Sequence, residues 1–277
     1  MRVMILGAGG MLGHDLVATA PHESKLFVFT RAELDITNAA SLATVCASGK
    51  PDVIINAAAY TAVDKAESEP QAAFRINGKA VGDLGRIAAQ VGAQVVHYST
   101  DYVFDGNASQ PYTEDSVTNP INTYGASKLA GEVALRESGA AFLILRSQWL
   151  FGMHGRCFPK TMYERARANL PTKVVGDQTG RPTYTQDLAR ATWGMVSRSA
   201  RGVAHVTNEG AATWFDVAEH VFRRVKRLEL LSCCTTGDYP TPARRPRYSV
   251  LGTGQIRERL RDWRSALDHF LDHLTSC

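Results

Sequence analysis

A doubly wound α/β fold, a parallel sheet wrapped by helices with a smaller C-terminal substrate lobe, is predicted by three features of the 277-residue chain. Short apolar runs alternate with helical stretches through the first half. A glycine-spaced turn follows the first run directly. The second half breaks this rhythm with loops rich in proline and glycine.

Val3 to Leu6 reads as a buried strand, because a strand covered on both faces is apolar throughout. Gly7-x-x-Gly10-x-x-Gly13 follows at once and opens a helix over residues 11–20. Glycines are needed where a chain turns tightly and where backbone must approach a pyrophosphate, and the helix aims its N-terminal amides at the phosphates. The pattern therefore implies dinucleotide binding.

The second strand, Leu26-Phe-Val-Phe29, ends in Thr30-Arg31, where a site for NAD often carries a carboxylate for the ribose hydroxyls. A hydroxyl and a guanidinium suit a 2′-phosphate, so NADPH is expected. NADH stays open if Arg31 is only a solvated loop residue. Asp35 either caps the next helix or faces the adenine pocket.

Pro51-Asp-Val-Ile-Ile-Asn56 supplies the third strand, and a long helix is expected over residues 69–91. Gln94-Val-Val-His-Tyr-Ser99 is the fourth strand and ends at Thr100. A loop over residues 105–122 leads into a helix that starts near Tyr124, and Phe142-Leu-Ile-Leu-Arg146 is the fifth strand. Ligands of such sheets lie outside the carboxyl ends of the strands, a rim that gathers Gly7, Asn56, Thr100 and Trp149.

Further on, helices are expected over 158–168, 185–197, 213–227 and 255–274, with a short strand at Lys173-Val-Val-Gly176. Residues 1–149, with return segments at about 173–177 and 183–207, are expected to hold the dinucleotide. Residues 150–277 form the substrate-binding lobe.

The chemistry is carried by Tyr124-Gly-Ala-Ser-Lys128, with Thr100 upstream. Residues i and i+4 share a helix face, so a phenol and an ammonium reach one reacting atom. The cation favours phenolate and brings the phenol towards the working range of a general acid. That suits proton exchange with a carbonyl or alcohol oxygen.

A net charge of +4 is modest, and the clusters at Arg223–Arg227 and Arg244–Arg247 do not interleave with aromatics, so no nucleic-acid partner is expected. Five cysteines show no zinc spacing, and no signal peptide is present, which fits a cytoplasmic protein. No apolar stretch is long enough to cross a membrane.

Together, Gly7-x-x-Gly10-x-x-Gly13, Ile55-Asn-Ala-Ala-Ala-Tyr-Thr-Ala-Val-Asp64, Ser99-Thr-Asp-Tyr-Val-Phe-Asp-Gly106 and Tyr124-x-x-x-Lys128 resemble the extended short-chain dehydrogenases. More narrowly, they resemble the dTDP-4-dehydrorhamnose reductases, as do Gln178-Thr-Gly-Arg-Pro-Thr183, Thr213-Trp-Phe215 and Thr241-Pro-Ala-Arg-Arg-Pro246. The related dehydratases carry Asp-Glu after the threonine; Tyr102 in the glutamate position argues for simple reduction.

The resemblance implies a Rossmann fold and hydride transfer from NADPH to a nucleotide-sugar ketone. It implies Tyr124 as general acid, Lys128 as ribose-binding and tyrosine-tuning lysine, and Thr100 as the hydroxyl that polarises the carbonyl. Gly10, Met11 and Leu12 match the pyrophosphate turn, Asp35 and Ile36 the adenine side, and Ala59, Tyr60 and Thr61 the cofactor lining. Thr100, Asp101 and Trp149 match sugar-nucleotide contacts, while Tyr60 and Trp149 also read as plain packing residues. Arg181, Arg244 and Arg245 are candidates for the substrate pyrophosphate.

Some family members dimerise through magnesium held by glutamates. Asp15 and Gln186 stand at two of those positions, and the last helix has no glutamate beyond Glu258. No metal requirement is expected, and the chain is expected to be a monomer or weak homodimer. A reductase or epimerase of another nucleotide sugar, or a non-catalytic dinucleotide-binding regulatory subunit, remain open.

Overall fold

The computed structural model describes residues 1–253 and 259–276. In chain order the first half runs β1 (Arg2–Leu6), α1 (Met11–Ala18), β2 (Lys25–Phe29), α2 (Ala39–Gly49), β3 (Val53–Asn56), α3 (Val63–Ser68), α4 (Pro70–Phe74), α5 (Ala80–Val91), β4 (Gln94–Thr100), α6 (Thr123–Arg136) and β5 (Phe142–Ser147). The second half adds β6 (Leu150–Phe151), α7 (Phe158–Arg167), β7 (Thr172–Val175), β8 (Thr179–Gly180), β9 (Thr183–Tyr184), α8 (Thr185–Ser197) and β10 (Gly202–His205). It ends with β11 (Ala212–Thr213), α9 (Trp214–Val225), β12 (Leu231–Cys234) and α10 (Trp263–Ser276).

Among the described residues, six strands form one parallel sheet in the order β10-β5-β4-β3-β1-β2. The order reverses beside β1, so the carboxyl ends of β1, β3 and β4 open on one crevice. The central strands are buried and mostly apolar because helices cover both faces, with polar residues towards the carboxyl ends of β3, β4 and β5. One core joins Val3, Ile5, Val96 and Leu145 to Leu16 and Leu188, and the other joins Met4, Ile54, Val95 and Ile144 to Leu42, Leu84 and Leu135. A third core, around Phe151, Tyr184, Phe222, Trp263 and Phe270, lies in the second half.

Three expectations shift. The helix expected over 69–91 begins earlier, at Val63. It is interrupted by Glu69-Pro70, and widens into a π-turn over Arg75–Lys79 before α5. Pro70 cannot donate to the preceding turn, which restarts the helix there. The segment near 173–177 does not return to the central sheet: β7 pairs in parallel with β12 in a separate two-stranded sheet. The last helix begins at Trp263 rather than 255; positions 255–258 of that expectation, with Glu258, lie outside the described residues. Thr213 starts α9 as expected, through a capping box with Asp216.

Candidate active site

The crevice begins at the turn after β1. Gly7 adopts φ +77°, and a Cβ there would stand 2.6 Å from the Ala58 nitrogen. At Gly13 a Cβ would meet the Gly7 carbonyl oxygen at 2.4 Å. Gly10 is the N-cap of α1 and provides no side-chain cap, so the first-turn amides are left for an outside acceptor. Leu12 is buried in the core and Met11 packs towards the third core, so both offer the crevice only backbone.

At the end of β2, the Thr30 N–H and hydroxyl both donate to the Glu33 carboxylate, each at 2.8 Å. Arg31 is exposed and reaches Asp35 at 3.9 Å. Asp35 does not cap α2. Its carboxylate accepts from the Thr37 N–H and hydroxyl, which hold it below its ordinary range, while Asn38 is the N-cap. The Ile36 side chain belongs to the core beside Leu34.

Beyond β3, Ala59 and Thr61 are exposed. Tyr60 is pinned by a residue the sequence reading missed. Asn77, buried in the π-turn, accepts from the Tyr60 N–H at 2.8 Å and donates to the Tyr60 carbonyl at 3.0 Å and to the Ser127 hydroxyl at 3.0 Å. One amide therefore fixes the loop after β3 against α6. The Tyr60 hydroxyl donates to Glu69.

The candidate catalytic side chains gather at the end of β4. The Thr100 hydroxyl donates to Asp101 Oδ1 at 3.1 Å, accepts from the Tyr102 N–H at 3.2 Å, and shares a hydrogen bond with Tyr124. Burial pushes the Asp101 carboxyl up to about 7, against hydrogen bonds from Ser249 and Thr100. Burial, then the charge of Asp101, push the Tyr124 phenol up to about 12. Asn122 caps α6 through the Gly125 N–H and so sets the start of the Tyr124 helix.

Lys128 is buried on the same helix face. Its ammonium donates to the Tyr98 carbonyl at 2.6 Å and lies 3.2 Å from His97 Nε2; burial brings it down to about 8, with Glu132 opposing. The expected downward pull of Lys128 on the phenol is not seen here, because its ammonium is engaged by the Tyr98 carbonyl and His97 on β4 rather than by Tyr124. Glu132 is itself held by Arg146, at 2.7 and 2.9 Å.

Trp149 adopts φ 50° and stacks on Trp214 with ring centroids 3.7 Å apart; Phe158 meets Trp214 edge-on. Gln148 bridges the two halves, accepting from the Arg181 N–H and donating to the Ser249 carbonyl. The Arg181 side chain contacts Thr253 and Glu209, and Arg245 pairs with Asp64 at 2.9 Å. Arg244 stays exposed while its carbonyl accepts from Asn122. Of the three arginines, only Arg244 is left without an acidic partner among the described residues. Ser249, Gln148 and Trp214 were missed in the sequence because their roles arise from pairings across the fold. Asp15 is buried beside Thr185, and among the described residues no three His, Cys, Asp or Glu side chains converge on a metal position.

The family model described as "RmlD substrate binding domain" matches residues 1–276. A dTDP-4-dehydrorhamnose reductase of Burkholderia thailandensis is 39% identical, the match covering 96% of this chain and 97% of that protein. A dTDP-4-keto-6-deoxy-D-glucose reductase of Streptomyces niveus is also 39% identical, with 96% and 95% covered. The structure of the Bacillus anthracis dTDP-4-dehydrorhamnose reductase in complex with NADP superposes with a TM-score of 0.95 at 35% identity, covering 98% of this chain and 99% of that one.

Proposed function

The chain belongs to the family described as the RmlD substrate binding domain, and on that premise we propose that it reduces dTDP-4-dehydro-β-L-rhamnose to dTDP-β-L-rhamnose with NADPH. It is an NAD(P)H-dependent oxidoreductase of nucleotide-sugar biosynthesis. The observation that supports this substrate reaction best is the hydrogen-bonded set Thr100, Asp101 and Tyr124 at the end of β4, two strands from the glycine turn.

The residues present fit a dinucleotide. Glycine at positions 7 and 13 lets the turn after β1 pack directly on the backbone of Ala58 and Gly7, and the uncapped first turn of α1 suits a pyrophosphate. Thr30 and Arg31 lie where the adenosine ribose is read, and Lys128 would hold the nicotinamide ribose. When bound, NADPH supplies the hydride that the protein cannot. Tyr124, neutral and enclosed, gives its proton to the oxygen that gains charge at C4. Thr100 donates to the same oxygen by turning its hydroxyl proton from Asp101 Oδ1, its oxygen being already held by the Tyr102 N–H. Reduction is then complete: one hydride on carbon, one proton on oxygen.

Trp149 and Arg244 are assigned to the sugar nucleotide, with Arg181 shaping the loop beside them. Residues 1–149 and the 183–207 return carry the cofactor, and 150–277 the substrate lobe. No magnesium requirement is proposed, because Asp15 and Gln186 stand where family members place glutamates; loss of activity in chelator, restored by magnesium, would overturn that. The enzyme is placed in the cytosol as a monomer or weak homodimer.

A second reading, the same reduction on another dTDP-linked 4-keto sugar, is favoured by the Streptomyces niveus relative. Absorbance of the reduced nicotinamide, followed with each keto sugar made in situ, separates the two. Oxidation that requires dTDP-4-dehydro-β-L-rhamnose supports the first; oxidation with other keto sugars alone supports the second.

A further inference from the structure

Behind Lys128 lies a buried polar chain whose other two members, Asn56 and His97, have no part in the steps above. Asn56 ends β3, His97 lies beside it on β4, and Lys128 comes from α6; all three are almost wholly buried, at 1, 1 and 2% exposure. Asn56 Nδ2 is 3.2 Å from His97 Nδ1, and His97 Nε2 is 3.2 Å from Lys128 Nζ.

The proton count is restrictive. Asn56 Oδ1 accepts from the Ala58 N–H at 3.1 Å, so the NH₂ end of that amide must face the imidazole. His97 Nδ1 is therefore an acceptor, and the one ring proton of a neutral imidazole sits on Nε2. That proton points at Lys128 Nζ, which already donates to the Tyr98 carbonyl. An ammonium has no lone pair to receive it. The contact is a hydrogen bond only when Lys128 is an amine.

We infer that His97 is a positioning residue for the reduction: through Nε2–H, with its tautomer fixed by Asn56, it sets the place and the protonation of Lys128. This rests on the reductase reading for its kinetic consequence, not for its geometry. The groups around Lys128 agree. Tyr124 and Glu132 lie one turn either side on its own helix, the charge of Glu132 is taken by Arg146 from β5, and β4 presents His97 and the Tyr98 carbonyl. Burial brings Lys128 down to about 8 and holds His97 well below its ordinary value, so near neutrality the ring is neutral and the one titrating proton of the pair lies on Lys128. Lys128 gives it up, and becomes able to accept from Nε2–H, as pH rises through about 8.

Two substitutions separate the ends of the ring. His97→Gln places an amide where Nε2 was and can turn its oxygen to an ammonium. His97→Asn keeps a polar group only towards Asn56. We expect His97→Gln to keep kcat within about threefold and to move the alkaline limb of its pH profile upward by about one unit. We expect His97→Asn to lower kcat about tenfold or more, with KM for the keto sugar little changed. Wild-type kcat and an unmoved limb in both variants, or losses confined to Tm, would overturn the inference.

A second test needs no variant. Nitrogen-15 spectra of the histidine-labelled wild type should show His97 protonated on Nε2 alone from about pH 6 to 9. An Nδ1-protonated ring would overturn the inference. If the wild type oxidises no cofactor with the keto sugar, the substrate reading fails, while these spectra still decide the His97 geometry.

Discussion

The ring of Tyr102 stands edge-on to that of Tyr124, with centroids 5.9 Å apart and planes at 82°. An aromatic edge there encloses the Tyr124 ring and offers no carboxylate beside its hydroxyl, an arrangement consistent with the proposed protonation by Tyr124.

Replacing Tyr124 by phenylalanine keeps that packing and removes only the hydroxyl. Turnover should fall by about 10²–10⁴, while titration with NADPH, read by nucleotide fluorescence, should give an unchanged affinity. Turnover near that of the wild type would remove Tyr124 from the mechanism.

Asp101 makes stability depend on pH. Its folded value of about 7 lies above the ordinary 3.8, so the folded state binds the proton more tightly. That contribution is fully present below about pH 4 and is lost as pH rises through about 7. The Tm difference between Asp101→Asn and wild type should therefore grow in favour of the variant between pH 5 and 8, in steps of about one unit. A difference that is flat across this range would show the carboxyl is not titrating there.

Lys128 acts with the opposite sign of charge. Its folded value, about 8, lies below its ordinary 10.5, so its stabilising contribution is present at high pH and lost as pH falls through about 8. Lys128→Met should gain Tm relative to wild type at neutral pH, with the gain shrinking as the medium becomes alkaline. Thermal melts across that range check it, and an unchanging gain would contradict it.

Cofactor preference should respond to two side chains at the end of β2. Glu33 now takes both donors of Thr30, so Glu33→Gln should raise kcat/KM for NADPH relative to NADH. Arg31→Ala should lower the same ratio, by about tenfold for a lost charge-assisted contact. If neither ratio moves, the 2′-phosphate is read elsewhere.

The strands of the first half were legible because burial on both faces leaves continuous apolar runs, as at Val3–Leu6 and Leu143–Leu145, whereas the short, half-buried β10 was not named as a strand. Thr100, Tyr124 and Lys128 were legible as a spaced set. Asn77 was not. It sits in a π-turn whose wider winding has no signature in apolar spacing, and its partners, Tyr60 and Ser127, are far along the chain. The pairing of Arg245 with Asp64 was hidden for the same reason, so a candidate phosphate contact proved to be committed to a carboxylate. His97 was hidden differently: within an apolar strand, one polar residue gives no hint of which neighbour it faces.

The Trp149–Trp214 stack gives the molecule an optical handle. Two indoles at 3.7 Å and nearly parallel share their excited states, whereas Trp193 and Trp263 are placed in separate cores. Coupling of their strong transitions should give a paired band in the far-ultraviolet circular dichroism. Because Trp149 follows β5 and Trp214 opens α9, that band reports the spacing of the end of the central sheet and the start of that helix, and it can be followed in solution without any label.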